Sequence, residues 1–402
     1  MHRNEPPSLS EISPHLPGRL EVAGHDLTLY EDSDSLIAAM VDDIRAAKRR
    51  VWMESYIFTA DAAGLAVAEA LAERAVAGVD VRLMVDAWGS FSTRTALFNR
   101  LRAAGVKVHV FHALGEAIFH RLKFLQVLNQ RNHRKLLVID EGIAYFGGMN
   151  IVDQSGIHSK ADAKQRHLPA SAGWRDVHVR LVGPAQAEIA ASVAWLWKRA
   201  HRQRRPKQRP WDVQSILQTA HDAIYFFDSR PRFKFRRPHR LLIPLIRQAR
   251  HEVTLAMAYF VPTGGILREL LKARKRGVRV QIIVPGRSDV RAVQWATRHV
   301  YEFLIKRGIR IYERKDRMLH SKVLVVDGQW SVIGSCNLDA RSLRWNLECF
   351  ALVRSSHLAR TLASICQQEI RDSRRISAAQ CRRRSWWQRL LNRTAWSMRN
   401  WL

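Results

Sequence analysis

The chain carries one short segment twice, and that duplication limits its fold more than any other feature. His133-Arg-Lys135-Leu-Leu-Val-Ile-Asp140 is followed by Gly147-Gly-Met-Asn150, and His320-Ser-Lys322-Val-Leu-Val-Val-Asp327 by Gly334-Ser-Cys-Asn337; the second lies 187 residues after the first at every position. Five matched residue types, each with a chance of roughly one in twenty, do not recur at identical spacing by accident. Two copies of one domain are expected.

The likeness extends upstream of each motif. Leu36, Ile37, Met40, Val41 and Ile44 recur at helical spacing before an apolar run from Val51 to Phe58, and a helix from Gly64 to Ala77 and a strand from Val79 to Val85 follow. In the second copy Leu241, Leu242, Leu245 and Ile246 precede Val253 to Val261, then a helix from Leu267 to Arg276 and a strand from Val278 to Val284. Gly78 and Gly277 follow the helices, as residues that accept the left-handed backbone closing a helix. A third strand follows in each, Val106 to Phe111 and Ile309 to Glu313. Strands alternating with helices predict an α/β fold: two homologous domains with mixed sheets, related by an internal pseudo-twofold around one active site. The expected division is an N-terminal extension (1–24), a first domain (25–197), an Arg-rich linker (198–212), a second domain (213–372) and a basic, Trp-rich amphipathic tail (373–402).

Each motif lies on a β-branched run that ends in a turn signal, so a strand leading into a hairpin is expected. His and Lys two residues apart share a face of that strand, while Asp140 and Asp327 have opposite parity and suit turn acceptors better than catalysts. The motif's catalytic set is therefore His133, Lys135, Asp140, His320, Lys322 and Asp327, with the weaker claim on the two aspartates. A histidine, a fixed cation and an Asn donor meet the needs of phosphodiester chemistry, because lysine and amide donors stabilise charge spread over phosphoryl oxygens. Two histidines supply a nucleophile and an acid–base partner. Each needs an acceptor for its second ring nitrogen; Asp176, in Trp174-Arg-Asp176, and Glu348, in Asn346-Leu-Glu348, are the candidates, and which acid serves which histidine stays open.

Lys and Arg number 66 against 36 Asp and Glu, a net charge of +30, which points to a polyanionic partner: an anionic membrane surface or a nucleic acid. No run reaches the roughly 18 to 20 apolar residues that cross a bilayer. The four cysteines form no CxxC pair and no zinc-ligand cluster, and no secretory signal is legible at the N-terminus, so a cytoplasmic location is expected.

The duplicated HxKxxxxD with its GxxN resembles the phospholipase D superfamily over roughly residues 25 to 372. Tyr56-Ile-Phe58, Asp86-Ala-Trp-Gly89, Asn132-His-Arg-Lys135, Asn337-Leu-Asp339 and Asn346-Leu-Glu348 look most like the bacterial cardiolipin synthases, in the shorter type without N-terminal membrane helices. That resemblance implies transfer of a phosphatidyl group between two phosphatidylglycerol molecules at the inner face of a bacterial membrane, through a covalent phosphohistidine-type intermediate. Hydrolysis by water and cleavage of nucleic acid are the alternatives. No metal or organic cofactor is implied. By the same resemblance His133 is the nucleophile and His320 the acid and base, Lys135, Lys322, Asn150 and Asn337 bind phosphate, and Asp176 and Glu348 orient the histidines. Gly148 departs from the family's usual Ser, present here as Ser335, and a wider pocket or a water is expected in its place.

In the tail, Trp386, Trp387, Leu390, Leu391, Met398, Trp401 and Leu402 fall on one side of a helical wheel and Gln388, Arg389, Asn392, Arg393 and Arg399 on the other, with Trp396 breaking the pattern. A helix in the headgroup region and a helix docked on the protein body are both compatible with that face.

Overall fold

The structure, a computed structural model, describes residues 18–93, 95–112, 130–153, 173–201, 203, 210–230 and 237–401. The strands in chain order are β1 (Arg19–Val22), β2 (His25–Tyr30), β3 (Arg50–Ser55), β4 (Asp80–Asp86), β5 (Lys107–Phe111), β6 (Leu136–Ile139), β7 (Ile143–Gly147), β8 (Trp174–Arg175) and β9 (His178–Val182). The second half adds β10 (Ala223–Asp228), β11 (Glu252–Met257), β12 (Arg279–Pro285), β13 (Arg310–Arg314), β14 (Met318–Leu319), β15 (Lys322–Val326), β16 (Trp330–Gly334), β17 (Cys349–Arg354) and β18 (Ser373–Arg375).

One sheet runs β1-β2-β9-β7-β6-β3-β4-β5 and the other β10-β17-β16-β15-β11-β12-β13-β18. From β2 and β10 onward the two orders are the same, so the duplication read from the motifs is a duplication of the whole sheet. Each sheet is mixed: β3, β4 and β5 are parallel and joined by helical crossovers, while β6 and β7 return antiparallel. The first sheet begins at Arg19, ahead of the expected domain start, and Ser373–Arg375 pairs with β13 as an edge strand. Ser-Arg-Arg has no apolar alternation to read; the buried Ile376, whose N–H donates to the Ile311 carbonyl at 2.9 Å, holds it there.

Local signals place the helices. Asp32 caps the helix Ser33–Ala46 by accepting the Ser35 N–H at 2.8 Å, and that helix buries Leu36, Ile37, Met40, Val41 and Ile44 on the sheet. Gly78 and Gly277 take φ of 86° and 92° just past the helices Ala62–Val76 and Gly264–Lys275. A core shared by both halves joins Leu136, Val138 and Val179 to Val323, Val325 and Ala351. The two halves therefore exclude water together instead of as separate beads.

Arg134 lies between His133 and Lys135 in sequence but is buried, with its guanidinium forked onto Glu54 of β3 at 3.0 and 2.6 Å and a further bond to Ser192 at 2.7 Å. Arg134→Ala strands the Glu54 charge in the interior and is expected to cost about 3–5 kcal/mol. Replacing both partners by leucine and methionine is expected to cost less than either single change. Urea unfolding checks this; a pair of single variants with midpoints unmoved would refute it.

The tail helix Trp386–Ser397 packs on the helix Arg291–Ile305 through Asn392, Ala395 and Trp396, whose ring stacks on His299 at 5.7 Å. Trp396, the residue that breaks the wheel, is thus the docking residue. Trp386, Trp387, Leu390, Leu391, Met398 and Trp401 remain exposed. The body-docked reading holds for one side of the helix, and the opposite side keeps its apolar residues exposed. Among the described residues no helix is long and apolar enough to cross a membrane.

Candidate active site

The two motif strands β6 and β15 are buried at the middle of their sheets, and each histidine just before them is tied by its backbone to the other half. The His133 N–H donates to the Leu347 carbonyl at 2.9 Å and the His320 N–H to the Arg175 carbonyl at 2.7 Å. The β8–β14 pair is the parallel ladder of that exchange. Because Leu347 precedes Glu348 and Arg175 precedes Asp176, the carboxylates cross between halves: His133 Nδ1 lies 3.0 Å from Glu348 Oε2, and His320 Nδ1 2.6 Å from Asp176 Oδ2. The acid that each histidine uses, open in the sequence, comes from the opposite copy. Tyr56 stands edge-on to His133 and Trp174 lies against His320, at 4.9 and 4.6 Å between ring centroids.

His133, His320, Asn150 and Asn337 line one cleft of about 410 Å³ between the halves. With each Nδ1 on a carboxylate, Nε2 is the nitrogen left for the cleft. Burial, aided by the Lys322 ammonium and opposed by Asp176, pushes His320 down to about 4; burial lowers His133 against the pull of Glu348. Asp176 is held below its ordinary value: burial alone would raise it, but Lys322 and His320 outweigh that.

The lysines sit directly behind the histidines. Lys135 Nζ donates to the His133 carbonyl at 2.7 Å, and Lys322 Nζ lies 2.7 Å from His320 Nδ1 and 3.5 Å from Asp176. Burial pushes Lys135 down to about 7. As pH rises through that value the ammonium loses its proton, so affinity for a phosphodiester anion is expected to weaken between about pH 7 and 9. Lys135→Arg, whose guanidinium keeps its charge, should flatten that limb of kcat/KM; an unshifted alkaline limb would remove Lys135 from it.

Asp140 and Asp327 are not brought to the cleft, and counting them with the catalytic residues is corrected. The Asp140 carboxylate accepts the N–H groups of Lys48, Arg49 and Arg50 at 2.9, 2.8 and 2.9 Å, and Asp327 those of Arg250, His251 and Glu252 at 2.8 Å each. Both hold the turn that starts the neighbouring strand. Asn150 Oδ1 accepts the Ile57 N–H at 3.1 Å, which leaves its NH₂ as a donor; Asn337 Oδ1 is buried with no partner among the described residues.

The expected gap at Gly148 is also corrected. A Cβ on Gly148 would overlap the Asp176 carboxylate, which fills that space, whereas in the other half the Ser335 hydroxyl donates to Glu348. A glycine with the shorter acid and a serine with the longer acid are two solutions of the same packing. Tyr259, Asp289, Arg131, Arg341 and Trp401 also line the cleft and were not among the expected residues. Arg131 and Arg341 stand within four residues of a motif residue, the one signal that would have flagged them. The apolar stretch Ile118 to Leu128, which the sequence reads as core packing or a lipid gate, and linker residues 202 and 204–209 lie outside the described residues. Among the described residues no three His, Cys, Asp or Glu side chains gather as a metal site.

Two copies of one mixed sheet with crossed histidine–carboxylate pairs on a common cleft define a phosphodiester-active class of α/β protein. Residues 40–163 and 242–370 match the family model described as cardiolipin synthase, PLD-like domain, and the chain belongs to that family. It is 32% identical over 374 residues to cardiolipin synthase A of Serratia proteamaculans, covering 92% of this chain and 74% of that one. Cardiolipin synthase A of Cronobacter sakazakii is 30% identical over 390 residues, 96% of this chain and 77% of the relative. Among solved structures, phosphatidylserine synthase from Haemophilus influenzae superposes with a TM-score of 0.66 over 96% of this chain and 98% of its own, at 14% identity, and shares the fold. Polyphosphate kinase from Porphyromonas gingivalis does so at 0.57 over 88% of this chain and 49% of its own, at 15% identity.

Proposed function

We infer that this chain is a phosphatidyltransferase, a cardiolipin synthase acting on phosphatidylglycerol at an anionic membrane surface. The observation that carries the chemistry is the convergence of two histidine–carboxylate pairs on one cleft; the relatives named cardiolipin synthase A support the substrate. His133 Nε2 attacks phosphorus of one phosphatidylglycerol, the P–O bond to the headgroup breaks, and glycerol leaves with a proton from His320. His320 then takes the proton from a hydroxyl of a second phosphatidylglycerol, whose oxygen displaces His133 from phosphorus. His320 must enter protonated, and the bound phosphodiester anion favours that form against the burial that lowers it. Lys135, Lys322, Asn150 and Asn337 hold the phosphoryl oxygens, while Glu348 and Asp176 keep each Nδ1 protonated.

A lipid favours this reading over a nucleic acid because the cleft rim is aromatic. Trp88, just after β4, and Trp401, in the tail, line the cleft at 62% and 68% exposure, and Trp401 continues the free apolar face of the tail helix. Tryptophan on one side with arginine around it suits the headgroup layer. The net charge of +30 favours the anionic cytoplasmic face of a bacterial membrane.

Mass spectrometry of lipids after incubation with phosphatidylglycerol vesicles tests both parts. Cardiolipin plus glycerol is expected; phosphatidic acid alone would make the enzyme a hydrolase, and no lipid product would move the substrate to nucleic acid. Trp386→Ala with Trp387→Ala is expected to weaken vesicle binding about tenfold or more. Unchanged binding would take the membrane role from the tail.

A further inference from the structure

Arg341 differs from the other arginines around the cleft. It lines the cavity half-buried, yet its guanidinium makes no ion pair and no hydrogen bond among the described residues. Arg131, on the same cleft, stands 3.7 Å from Asp86, and Arg175, one residue from the site, is held by Glu31 and Glu369 at 2.6 and 3.1 Å. The backbone of Arg341 is fixed, since its carbonyl accepts the N–H groups of Trp345 and Asn346 at 2.8 Å each.

The acids nearby are already engaged. Asp339 accepts the Ser342 N–H at 2.7 Å, and burial pushes it up to about 7, so it only partly offsets the arginine charge. Asp289 takes the Tyr259 hydroxyl on both oxygens, at 2.8 Å each. An arginine on a cleft wall with no carboxylate of its own is a receptor for a planar anion such as phosphate.

The motif residues account for one phosphate, that of the donor. In a reaction that joins two phosphatidylglycerols, the acceptor brings a second phosphate, separated from its attacking hydroxyl only by the glycerol carbons. Asn337 and Arg341 lie four residues apart on one segment of the cleft wall. We propose that Arg341 binds the phosphate of the acceptor lipid, forming a second anion subsite that selects a phosphate-bearing alcohol over water or a neutral alcohol. This rests on the reading of the chain as a phosphatidyltransferase.

The test lets two acceptors compete. The full chain is given phosphatidylglycerol vesicles together with deuterated glycerol, and the ratio of cardiolipin to deuterated phosphatidylglycerol is read by mass spectrometry. Arg341→Gln is expected to lower that ratio about tenfold or more, the worth of one charge-assisted phosphate contact, with Arg341→Lys intermediate. A ratio is read on whatever fraction folds, so lost protein alone does not move it. A second measurement needs no variant: the wild-type chain should prefer deuterated glycerol phosphate to deuterated glycerol at equal concentration.

A ratio that holds in Arg341→Gln while both products fall together would overturn the subsite and leave the transferase reading intact. Equal use of the two soluble acceptors would do the same. A wild-type chain that forms neither product would overturn the transferase reading, and the subsite with it.

Discussion

His133→Ala is expected to lower phosphatidyl transfer by at least about 10³-fold and to leave no phosphatidyl-enzyme that acid quench and labelled phosphatidylglycerol can detect. His320→Ala should be as slow in turnover, but it keeps the nucleophile, so a labelled adduct should still form with a donor whose leaving alcohol needs no proton. The two histidines are near-equivalent in geometry, each with Nδ1 on a carboxylate of the other half and an aromatic ring beside it. They differ in electrostatics. Each lysine donates to the backbone carbonyl of its own histidine, and Lys322 in addition lies against the His320 ring nitrogen. An adduct that survives His133→Ala would assign the nucleophile to His320.

The crossed pairs also explain why a single copy of this domain would be inert. Removing the second half takes away Glu348 and the Leu347 carbonyl as well as His320, so His133 loses its orienting acid and its backbone anchor at once. The active site is a property of the interface, and the shared core of Leu136, Val138, Val323 and Val325 is what keeps that interface in register.

How far the sequence could be read follows the same division. Residues that repeat at fixed spacing were legible: the histidines, lysines and asparagines, the parity that sets Asp140 and Asp327 apart, and the glycines closing equivalent helices. These are marked by spacing close along the chain, even where the contacts they make are distant. The pairing of His133 with Glu348 and of His320 with Asp176 spans 215 and 144 residues, and no periodicity records it. The docking of the tail was hidden for a different reason. Trp396 looked like an error in an amphipathic pattern because a wheel assumes one apolar face, and this helix has two, one for the protein and one for solvent. Arg341 stands near a motif residue in sequence, but its lack of a carboxylate partner among the described residues shows only in the folded chain.

Gly148→Ser should lower transfer by about 10²-fold or more, although it restores the residue usual in the family and present in the other half. The added Cβ would overlap the Asp176 carboxylate, which is buried and held by the Val177 N–H at 2.8 Å and by His320. Asp176 has too short a stem to move its carboxylate aside while keeping both bonds, so the bond to His320 Nδ1 is the one that gives way, and the ring loses its tautomer and its aim. Asp176→Glu alone is also expected to be harmful, because the longer acid finds no serine hydroxyl and must fold back against Gly148. The double variant rebuilds the Ser335–Glu348 arrangement on the first half, so its activity should exceed that of either single variant. The readout is the coupling in kcat/KM across the four proteins, together with the His320 titration followed by NMR. Strict additivity of the two changes would mean that Gly148 and Asp176 are not matched through a common space.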